Sequence, residues 1–281
     1  MIDGVIRAAP SFPTSNATAL LMLTANNASG ADDGACCRYE FIYFTNLVLD
    51  GGLRTGCARV HGATRIVFDE VFFTGYRYTG LYYGQPSHQL LLSRSFFGTS
   101  DWRGLPGQKE VCETMSHAWQ NVGLHVDGPD NQIEDSVFFC SGIGIKLTGS
   151  ANYFEGVHAF TGAAAEYPLG AVYIPARGAS DNTRAGAARV DGQHGNRFDH
   201  CYWDYSGIRI ENPMMIEFSN NYIIGLPSRQ ADPAFVEFVA VGGLQNISVT
   251  GVRFVGKVFR SAGAEASVKG NASFCAICIY K

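Results

Sequence analysis

The sequence predicts an all-β protein, a parallel β-helix in which one strand-and-turn unit repeats along the chain. The main observation is a motif of about eight residues that returns every ~20–24 positions. It is clearest where Asn131 to Phe138 is followed one period later by Asn152 to Ala159. Composition agrees, because Gly is abundant at 33 of 281 residues and charged residues make up only 16%, below the usual quarter of a soluble domain. Long periodic helical patterns are missing.

Copies of this motif can be placed by their first apolar residue. A repeat of this length is typical of a solenoid, in which each period forms one coil and packs on its neighbours. Two gaps near twice the period predict coils with weaker signals around Cys112 and Ala176. We therefore predict a single domain over residues 1–281 with about 9–11 coils. The first apolar residues are Phe44, Phe68, Leu92, Ile133, Phe154, Phe198, Phe218 and Val249.

A second element precedes the motif by eight or nine residues in three coils: Gly123 to Asp127, Gly144 to Thr148 and Gly207 to Glu211. Aliphatic and polar side chains alternate strictly in it, which predicts a strand with one face in the core and the other in solvent. Asparagine stands two residues before three of the first apolar residues. A tight bend there needs a positive φ or a side chain that bonds the local backbone. These asparagines are Asn131, Asn152 and Asn196.

Two segments interrupt the repeat, residues 10–38 and 176–197, and we predict loop excursions there. Long loops on a rigid scaffold are frequent places for function. The chain shows no signal peptide and no apolar run of the roughly 18 residues that a membrane span needs. Because the first strand-like motif already begins near Ile2, we expect an N-terminal cap and any export signal to precede it.

Charge and cysteine use restrict the partners and cofactors. The formal net charge is −4 with Lys and Arg scattered along the chain, which argues against nucleic acid, since phosphate binding needs a concentrated basic surface. The pair Cys275 and Cys278 has C-x-x-C spacing but no second pair, so a buried thiol pair or a disulfide is favoured over a metal site. Four N-glycosylation sequons favour an extracellular or secreted protein: Asn16, Asn27, Asn246 and Asn271.

Residues 142–158, Gly-Ile-Gly-Ile-Lys-Leu-Thr-Gly-Ser-Ala-Asn-Tyr-Phe-Glu-Gly-Val-His, resemble the coil consensus of the pectate-lyase-like superfamily of right-handed β-helices. The resemblance covers roughly residues 40–260. It implies a triangular coil of three strands and, in most enzyme members, a saccharide cleft along the outer face of one sheet. The hydrolase motifs of polygalacturonases have only distant echoes in Gly192 to Gly195 and Arg209 to Glu211, and pectate-lyase motifs are missing. The resemblance therefore implies architecture without a specific activity.

Strands one period apart must stack their outward side chains in rows. One predicted row holds His125, Lys146 and Arg209, with Tyr173 between the last two. The next row holds Asp127, Thr148 and Glu211, which we also treat as candidate site residues. Earlier coils extend the surface through Arg59, His61 and Tyr83, and Trp102 in a polar loop is a candidate sugar platform. Trp119 and Trp203 fall near core positions and are predicted to pack inside.

This surface suits two chemistries. A β-elimination lyase neutralises a uronate carboxylate, abstracts the adjacent carbon-bound proton and protonates the leaving oxygen; Lys146, Arg209, His125 and Tyr173 could fill these roles. A hydrolase needs two carboxyl groups roughly 5–5.5 Å or ~6.5–9.5 Å apart. Candidate pairs are Asp127 with Glu211, Asp127 with Asp130, and Asp199 with Asp204. No cofactor is required, although the oxygens of Asp127, Asp130 and Glu134 would suit Ca²⁺.

Two functions follow. The favoured one is an extracellular carbohydrate-active enzyme, a lyase or hydrolase, that cleaves an acidic polysaccharide on the outer face of one sheet. The alternative is a non-catalytic glycan-binding or adhesion β-helix of tailspike-like type, which would be compatible with a homotrimer. Outward charges that only pair with each other across coils would favour the second, because such pairing also stabilises a solvated sheet.

Overall fold

The computed structural model describes residues 4–24, 39–98, 120–160, 172–174, 195–204, 208–211, 215–224, 236–239, 248–250, 253–255 and 277–280. Within these residues every regular element is a β-strand, and neighbouring strands pair in parallel. No helix in this part of the chain is long and apolar enough to cross a membrane. The all-β parallel β-helix predicted from the sequence is confirmed.

Each coil passes through three short strands, and each kind of strand stacks on its equivalents in the neighbouring coils. Nine strands form one sheet, in the order β2 (Ala19–Thr24), β5 (Gly56–His61), β8 (Thr79–Gly84), β11 (Val122–Val126), β14 (Ile143–Leu147), β17 (Val172–Ile174), β20 (Ile208–Glu211), β23 (Val236–Val239) and β26 (Ile277–Tyr280).

The other two strands of each coil form a bent sheet with two faces. The first face holds β9 (Leu91–Ser93), β12 (Gln132–Glu134), β15 (Tyr153–Glu155), β18 (Arg197–Asp199), β21 (Glu217–Ser219) and β24 (Ser248–Thr250). The second face holds β1 (Gly4–Arg7), β10 (Phe96–Gly98), β13 (Val137–Phe139), β16 (His158–Phe160), β19 (Tyr202–Asp204), β22 (Tyr222–Ile224) and β25 (Arg253–Val255). The longer strands β4 (Tyr43–Asp50) and β7 (Val67–Thr74) run through both faces, and β3 (Tyr39–Glu40) pairs with β6 (Ala63–Thr64).

Cys112 and Ala176 lie outside the described residues, but the pairing of the described strands contradicts the additional coils predicted around them. Leu92 pairs directly with Ile133, and Phe154 pairs directly with Phe198. A doubled spacing can hold either a further coil or a long connection, and only the pairing distinguishes them. The predicted excursion over residues 10–38 also needs correction, because Ala19–Thr24 is a strand of the nine-stranded sheet.

Connections of very different length join the three strands of a coil. The first and second faces are joined by two residues, as at residues 135–136 between β12 and β13. In contrast, the connections 25–38, 99–121, 161–171, 175–196, 225–235 and 256–276 each begin or end at a strand of the nine-stranded sheet. We call this sheet the long-connection sheet.

A buried ladder of asparagines lines the bend that leads into the first face. The Nδ2 atom of Asn131 donates to Oδ1 of Asn152 at 2.8 Å, and Nδ2 of Asn152 donates to Oδ1 of Asn196 at 3.0 Å. The residue before each asparagine has the positive φ that the bend needs, 58° at Asp130 and 56° at Ala151. Of the two roles expected for the asparagines, they take the bonding role, whereas the positive φ belongs to the preceding residue.

The short bend between the first and second faces also combines a residue of positive φ with a residue that forms hydrogen bonds between coils. Its first residue has a positive φ in successive coils, for example 44° at Asp135 and 50° at His200. In several coils its second residue turns a polar atom inward to the adjacent coil. The Ser136 hydroxyl accepts a hydrogen bond from the Ser95 backbone N–H at 3.1 Å, and Asn221 Oδ1 accepts one from the Cys201 N–H at 3.2 Å.

Aromatic side chains stack along the axis of the core. The rings of Phe97 and Phe138 lie 4.6 Å apart and nearly parallel, and Phe154, Phe198 and Phe218 continue a second stack. Trp203 is fully buried, and its indole N–H donates to Asn221 Oδ1 at 3.1 Å. Its predicted packing role is confirmed.

Glycines at the second position of β8, β11 and β14 allow the coils to approach each other. A Cβ on Gly80 would lie 2.6 Å from the carbonyl oxygen of Gly123, and one on Gly123 would lie 2.6 Å from that of Gly144. Since a real Cβ does not come this close to an oxygen, any larger residue would push neighbouring strands apart. The glycines thus help to fix the alignment of outward side chains on this sheet.

We expect the Asn152→Ala substitution to lower the free energy of unfolding by about 2–4 kcal/mol, because the Asn131 and Asn196 amides lose their buried partner. Chemical denaturation followed by tryptophan fluorescence measures this. Gln132→Ala, on an exposed side chain beside Asn131, is the control and should change stability by no more than about 0.5 kcal/mol. Equal effects of the two substitutions would contradict the role of the ladder.

Candidate functional site

The outer face of the long-connection sheet carries a row of ionisable and aromatic residues on six consecutive strands. Strand register places them opposite one another in the order Arg59, Tyr82, His125, Lys146, Tyr173 and Arg209. We call this set the outer row. At ~4.8 Å between strands it extends over about 24 Å, a length that fits a polymer better than a small molecule.

The predicted alignment of His125, Lys146, Tyr173 and Arg209 agrees with this register, and Arg59 extends it as expected. The structure describes the backbone of Tyr173 and Arg209 but not their side chains. Tyr83 was assigned wrongly to the surface. It is fully buried, and its hydroxyl donates to the carbonyl of His88 at 2.9 Å.

Tyr82 stands where Tyr83 was expected. The sequence did contain a signal for it, because Gly80-Leu81-Tyr82 repeats the pattern of Gly123-Leu124-His125 and makes Tyr82 the equivalent of His125. Because two tyrosines are adjacent, the sequence pattern fits either of them, and a register error of one residue is easily made. Such an error moves a strand side chain from one face of the sheet to the other.

A second row runs beside the first. His61 pairs with Gly84 on the next strand. Asp127 comes one residue after Val126, which pairs with Tyr83. Gly84 therefore lies between the side chains of His61 and Asp127. Thr148 directly follows the next strand, β14, and its hydroxyl donates to Asp127 Oδ1 at 2.7 Å. The predicted neighbours Asp127 and Thr148 therefore contact each other.

Two of the three carboxylate pairs considered for hydrolysis do not come together on this face. Glu211 lies on β20 and Asp127 adjoins β11, which are three strand steps apart in the sheet. Three steps are about 14 Å, more than the ~9.5 Å that an inverting hydrolase tolerates. Asp199 belongs to the first face and Asp204 to the second, so that pair also lies away from the long-connection sheet.

His125 is held in the middle of the outer row. Its Nε2 atom lies 3.0 Å from the Thr148 hydroxyl oxygen, and its ring meets the Tyr82 ring edge-to-face at 5.0 Å. The guanidinium of Arg59 lies 4.4 Å from the centre of the same Tyr82 ring. Burial, and after it the positive charges of Lys146 and Arg59, lowers the pKa of His125 to about 3. The imidazole is therefore neutral at neutral pH.

This electrostatic arrangement suits an anion. The cationic side chains of Arg59 and Lys146 flank a neutral imidazole, and oppositely charged polymers are attracted to such a stretch of positive potential. A carboxylate bound near them would offset the repulsion that disfavours protonation of His125 and would raise its pKa. Binding of an anionic ligand is thus coupled to the basicity of this side chain.

The charges of the first face are arranged differently, since they pair with each other across coils. Arg94 bonds Asp69, and this hydrogen bond lowers the pKa of the Asp69 carboxyl despite partial burial. Arg197 Nε lies 2.8 Å from Glu217 Oε2 on the next coil. These two exposed pairs account for four charged residues of the first face without any ligand.

Among the residues that the structure describes, no three His, Cys, Asp or Glu side chains form a group that could hold a metal ion. Asp127, Asp130 and Glu134 all lie in this part of the chain, and dependence on Ca²⁺ stays a prediction. Cys140 is disulfide-bonded, whereas Cys57 and Cys201 are buried free thiols. Trp102, Trp119 and Cys275 lie outside the described residues.

Comparison with known proteins adds two findings. No protein-family model matches the chain. Over 225 residues the chain is 24% identical to the polygalacturonase QRT3 of Arabidopsis thaliana, a match that covers 80% of this chain and 40% of that protein. The chain therefore spans about two-fifths of the length of this relative.

Among solved structures, the surface adhesin PfbA of Streptococcus pneumoniae superposes with a TM-score of 0.54 at 12% identity, over 96% of this chain and 82% of the adhesin. A second structure of that adhesin has the same TM-score and covers 99% of this chain. At this identity the likeness shows the fold alone.

The pKa of His125 provides a test of the site's electrostatics. In an NMR titration we expect a value of about 3, and Lys146→Met should raise it because a nearby positive charge is removed. Arg197→Met, which removes a charge on the first face, should leave it unchanged. A titration of His125 near the ordinary ~6.5 of histidine would contradict the described environment.

The same shift makes stability depend on pH. Because the pKa of His125 is lower in the folded than in the unfolded chain, only the unfolded state binds the proton between about pH 3 and ~6.5. Stability should therefore fall as the pH drops through this window. His125→Gln should flatten that part of the profile of unfolding midpoint against pH; an unchanged slope would count against the shift.

Proposed function

We propose that the chain is a carbohydrate-active enzyme of the pectate-lyase-like superfamily of right-handed parallel β-helix proteins, and that it cleaves an acidic polysaccharide along the outer row. The observation that carries the proposal is this row itself. It combines cationic, aromatic and imidazole side chains over six adjacent strands. These are the groups that bind uronate carboxylates and move protons at sugar carbons.

The position of the row supports the proposal. It lies on the sheet whose strands are joined by the long connections of the chain, and binding or catalytic residues are concentrated where loops flank a rigid scaffold. The similarity to a polygalacturonase, which acts by its name on a polymer of an acidic sugar, points to the same class of substrate. At 24% identity this similarity supports the class of substrate but does not identify the bond that is cleaved.

The arrangement of the row favours β-elimination. Lys146 and Arg209 would neutralise the uronate carboxylate, and His125 would take the proton from the carbon beside it. The electron pair left on that carbon would expel the glycosidic oxygen, which a tyrosine of the row, Tyr173 or Tyr82, would protonate. The product would carry a carbon–carbon double bond and the chain would be cut without water.

His125 needs its substrate to act as this base. With a pKa of about 3 in the free protein, it holds a proton weakly. A uronate carboxylate bound against Lys146 would offset the positive charge of that side chain, which is the second cause, after burial, of the lowered pKa of His125. Basicity would then rise only when substrate is in place, which limits side reactions of the empty site.

Hydrolysis is the second mechanism within this function, favoured by the name of the polygalacturonase relative. It would need a carboxyl pair that neither Asp127 with Glu211 nor Asp199 with Asp204 supplies on this face. Among the described residues Asp127 with Asp130 is the remaining pair of those considered. Asp130 is exposed in the bend before β12, with a φ of 58°.

A glycan-binding or adhesion β-helix is the alternative function, favoured by the fold likeness to a surface adhesin that covers 96% of this chain. In that case the outer row would bind an acidic glycan without cleaving it. Assembly as a homotrimer would belong to this alternative, and light scattering in solution would measure it.

We further propose an extracellular location. Cys140 is disulfide-bonded, and disulfides persist mainly in oxidising compartments. Asn16 of one glycosylation sequon is exposed in a turn, where a glycan could be attached.

The assay combines a panel of uronate polysaccharides, with and without Ca²⁺, with two readouts: ultraviolet absorbance of an unsaturated product and formation of reducing ends. We expect both signals from the wild type. Lys146→Ala and His125→Ala should each lower kcat by roughly 10²–10⁴-fold. Arg197→Ala on the first face is the matched control and should retain activity.

Reducing ends without absorbance would overturn elimination in favour of hydrolysis. If the folded protein produces neither signal but binds the same polymers saturably, the result would instead establish the glycan-binding alternative.

A further inference from the structure

The Thr148 hydroxyl links His125 to Asp127. Its oxygen lies 3.0 Å from His125 Nε2, 2.7 Å from Asp127 Oδ1 and 3.4 Å from the Val126 carbonyl oxygen. A threonine hydroxyl has one proton to donate and two lone pairs to accept with. These three contacts cannot all use the same proton, so their directions can be assigned.

The carboxylate takes that proton. An ionised carboxylate accepts only, and a contact of 2.7 Å is typical of a charge-assisted O–H···O⁻ bond. The Val126 carbonyl at 3.4 Å is a much weaker competitor. Thr148 therefore donates to Asp127, and its lone pairs face the remaining partner.

The proton between His125 and Thr148 must then come from the ring. We propose that Asp127, acting through Thr148, fixes His125 in the tautomer that carries hydrogen on Nε2, and so makes Nδ1 the proton-accepting atom of the outer row. Asp127 and Thr148 are in this view positioning residues. Neither needs to touch the substrate.

Packing on the other side of the ring keeps this orientation. The Tyr82 ring meets the His125 ring edge-to-face at 5.0 Å, and Arg59 lies over Tyr82. Thr148 itself is held because β-branched side chains have few χ1 rotamers. The imidazole can therefore neither rotate freely nor exchange its two nitrogens without breaking the bond to Thr148.

The consequence for catalysis rests on the proposed function. In the elimination, Nδ1 would accept the carbon-bound proton while Nε2–H stays bonded to Thr148, and the imidazolium formed would be stabilised through Thr148 by the negative charge of Asp127. Loss of an orienting carboxylate of this kind lowers kcat by ~10⁴-fold in serine proteases, where the wrong tautomer results. A relay through a hydroxyl should have a smaller effect.

Long-range ¹H–¹⁵N NMR spectra of the full chain read the tautomer directly, with the His125→Gln variant used to assign the His125 signals. The wild type should show a protonated, pyrrole-type Nε2 and a pyridine-type Nδ1. Thr148→Ser keeps the hydroxyl and should keep this pattern. Thr148→Val should lose it.

Asp127→Ala gives an opposite signature. Without the carboxylate the Thr148 proton is available to His125 Nε2, and the ring proton should move toward Nδ1. This variant also keeps the test decisive if Thr148→Val fails to fold. A wild type with hydrogen on Nδ1, or variants that both retain the wild-type tautomer, would overturn the proposal.

Kinetics separate positioning from a general loss of structure. Thr148→Val should lower kcat by roughly 10–100-fold, which is at or below the lower end of the range for general acid–base catalysis. KM should change little. Thr148→Ser, which keeps the hydroxyl, should restore kcat. A fall in kcat without a change of tautomer would overturn the inference. Since the tautomer is read without substrate, an inactive wild type would refute the proposed function while the NMR result still decides this inference.

Discussion

The whole structure depends on one constraint: each coil must lie on the next in a fixed register, one strand spacing apart. Three devices maintain it in the described residues. Buried amides such as Asn152 bond from coil to coil, left-handed residues such as Asp135 turn the chain at each bend, and glycines such as Gly123 permit close approach of the strands. A change at any of these would disturb neighbouring coils, because a solenoid is stabilised through its nearest-neighbour interfaces.

Register is also what creates the candidate site. His125 and Lys146 are distant from Arg59 in sequence, and only the stacking of β5, β8, β11 and β14 brings the three into one row. The row is not assembled by a flexible loop. Its side chains stand on rigid strands, so their spacing follows the strand spacing of the sheet. Substitutions that shift register by one residue would turn them into the core.

Much of this could be read from the sequence because the repeat has a physical cause. Aliphatic residues at alternate positions predicted the strands, and the pairing of His125 with Lys146 follows from their equal distances to Gly123 and Gly144. What the sequence could not show was whether long gaps hold coils or connections. Spacing alone is the same for both, whereas the pairing of Phe154 with Phe198 is a fact of three-dimensional structure.

The site was predicted less completely than the fold. The shift from Tyr83 to Tyr82 is a matter of one residue, but it decides which ring faces solvent. The contacts of Thr148 with His125 and Asp127 depend on side-chain rotamers across two strands, and no local pattern encodes them. The most direct test of the account is a crystal structure of the protein with a short uronate oligosaccharide. We predict that the sugar chain lies along the long-connection sheet with a carboxylate against Lys146; an oligosaccharide bound only to the first or second face would contradict the account.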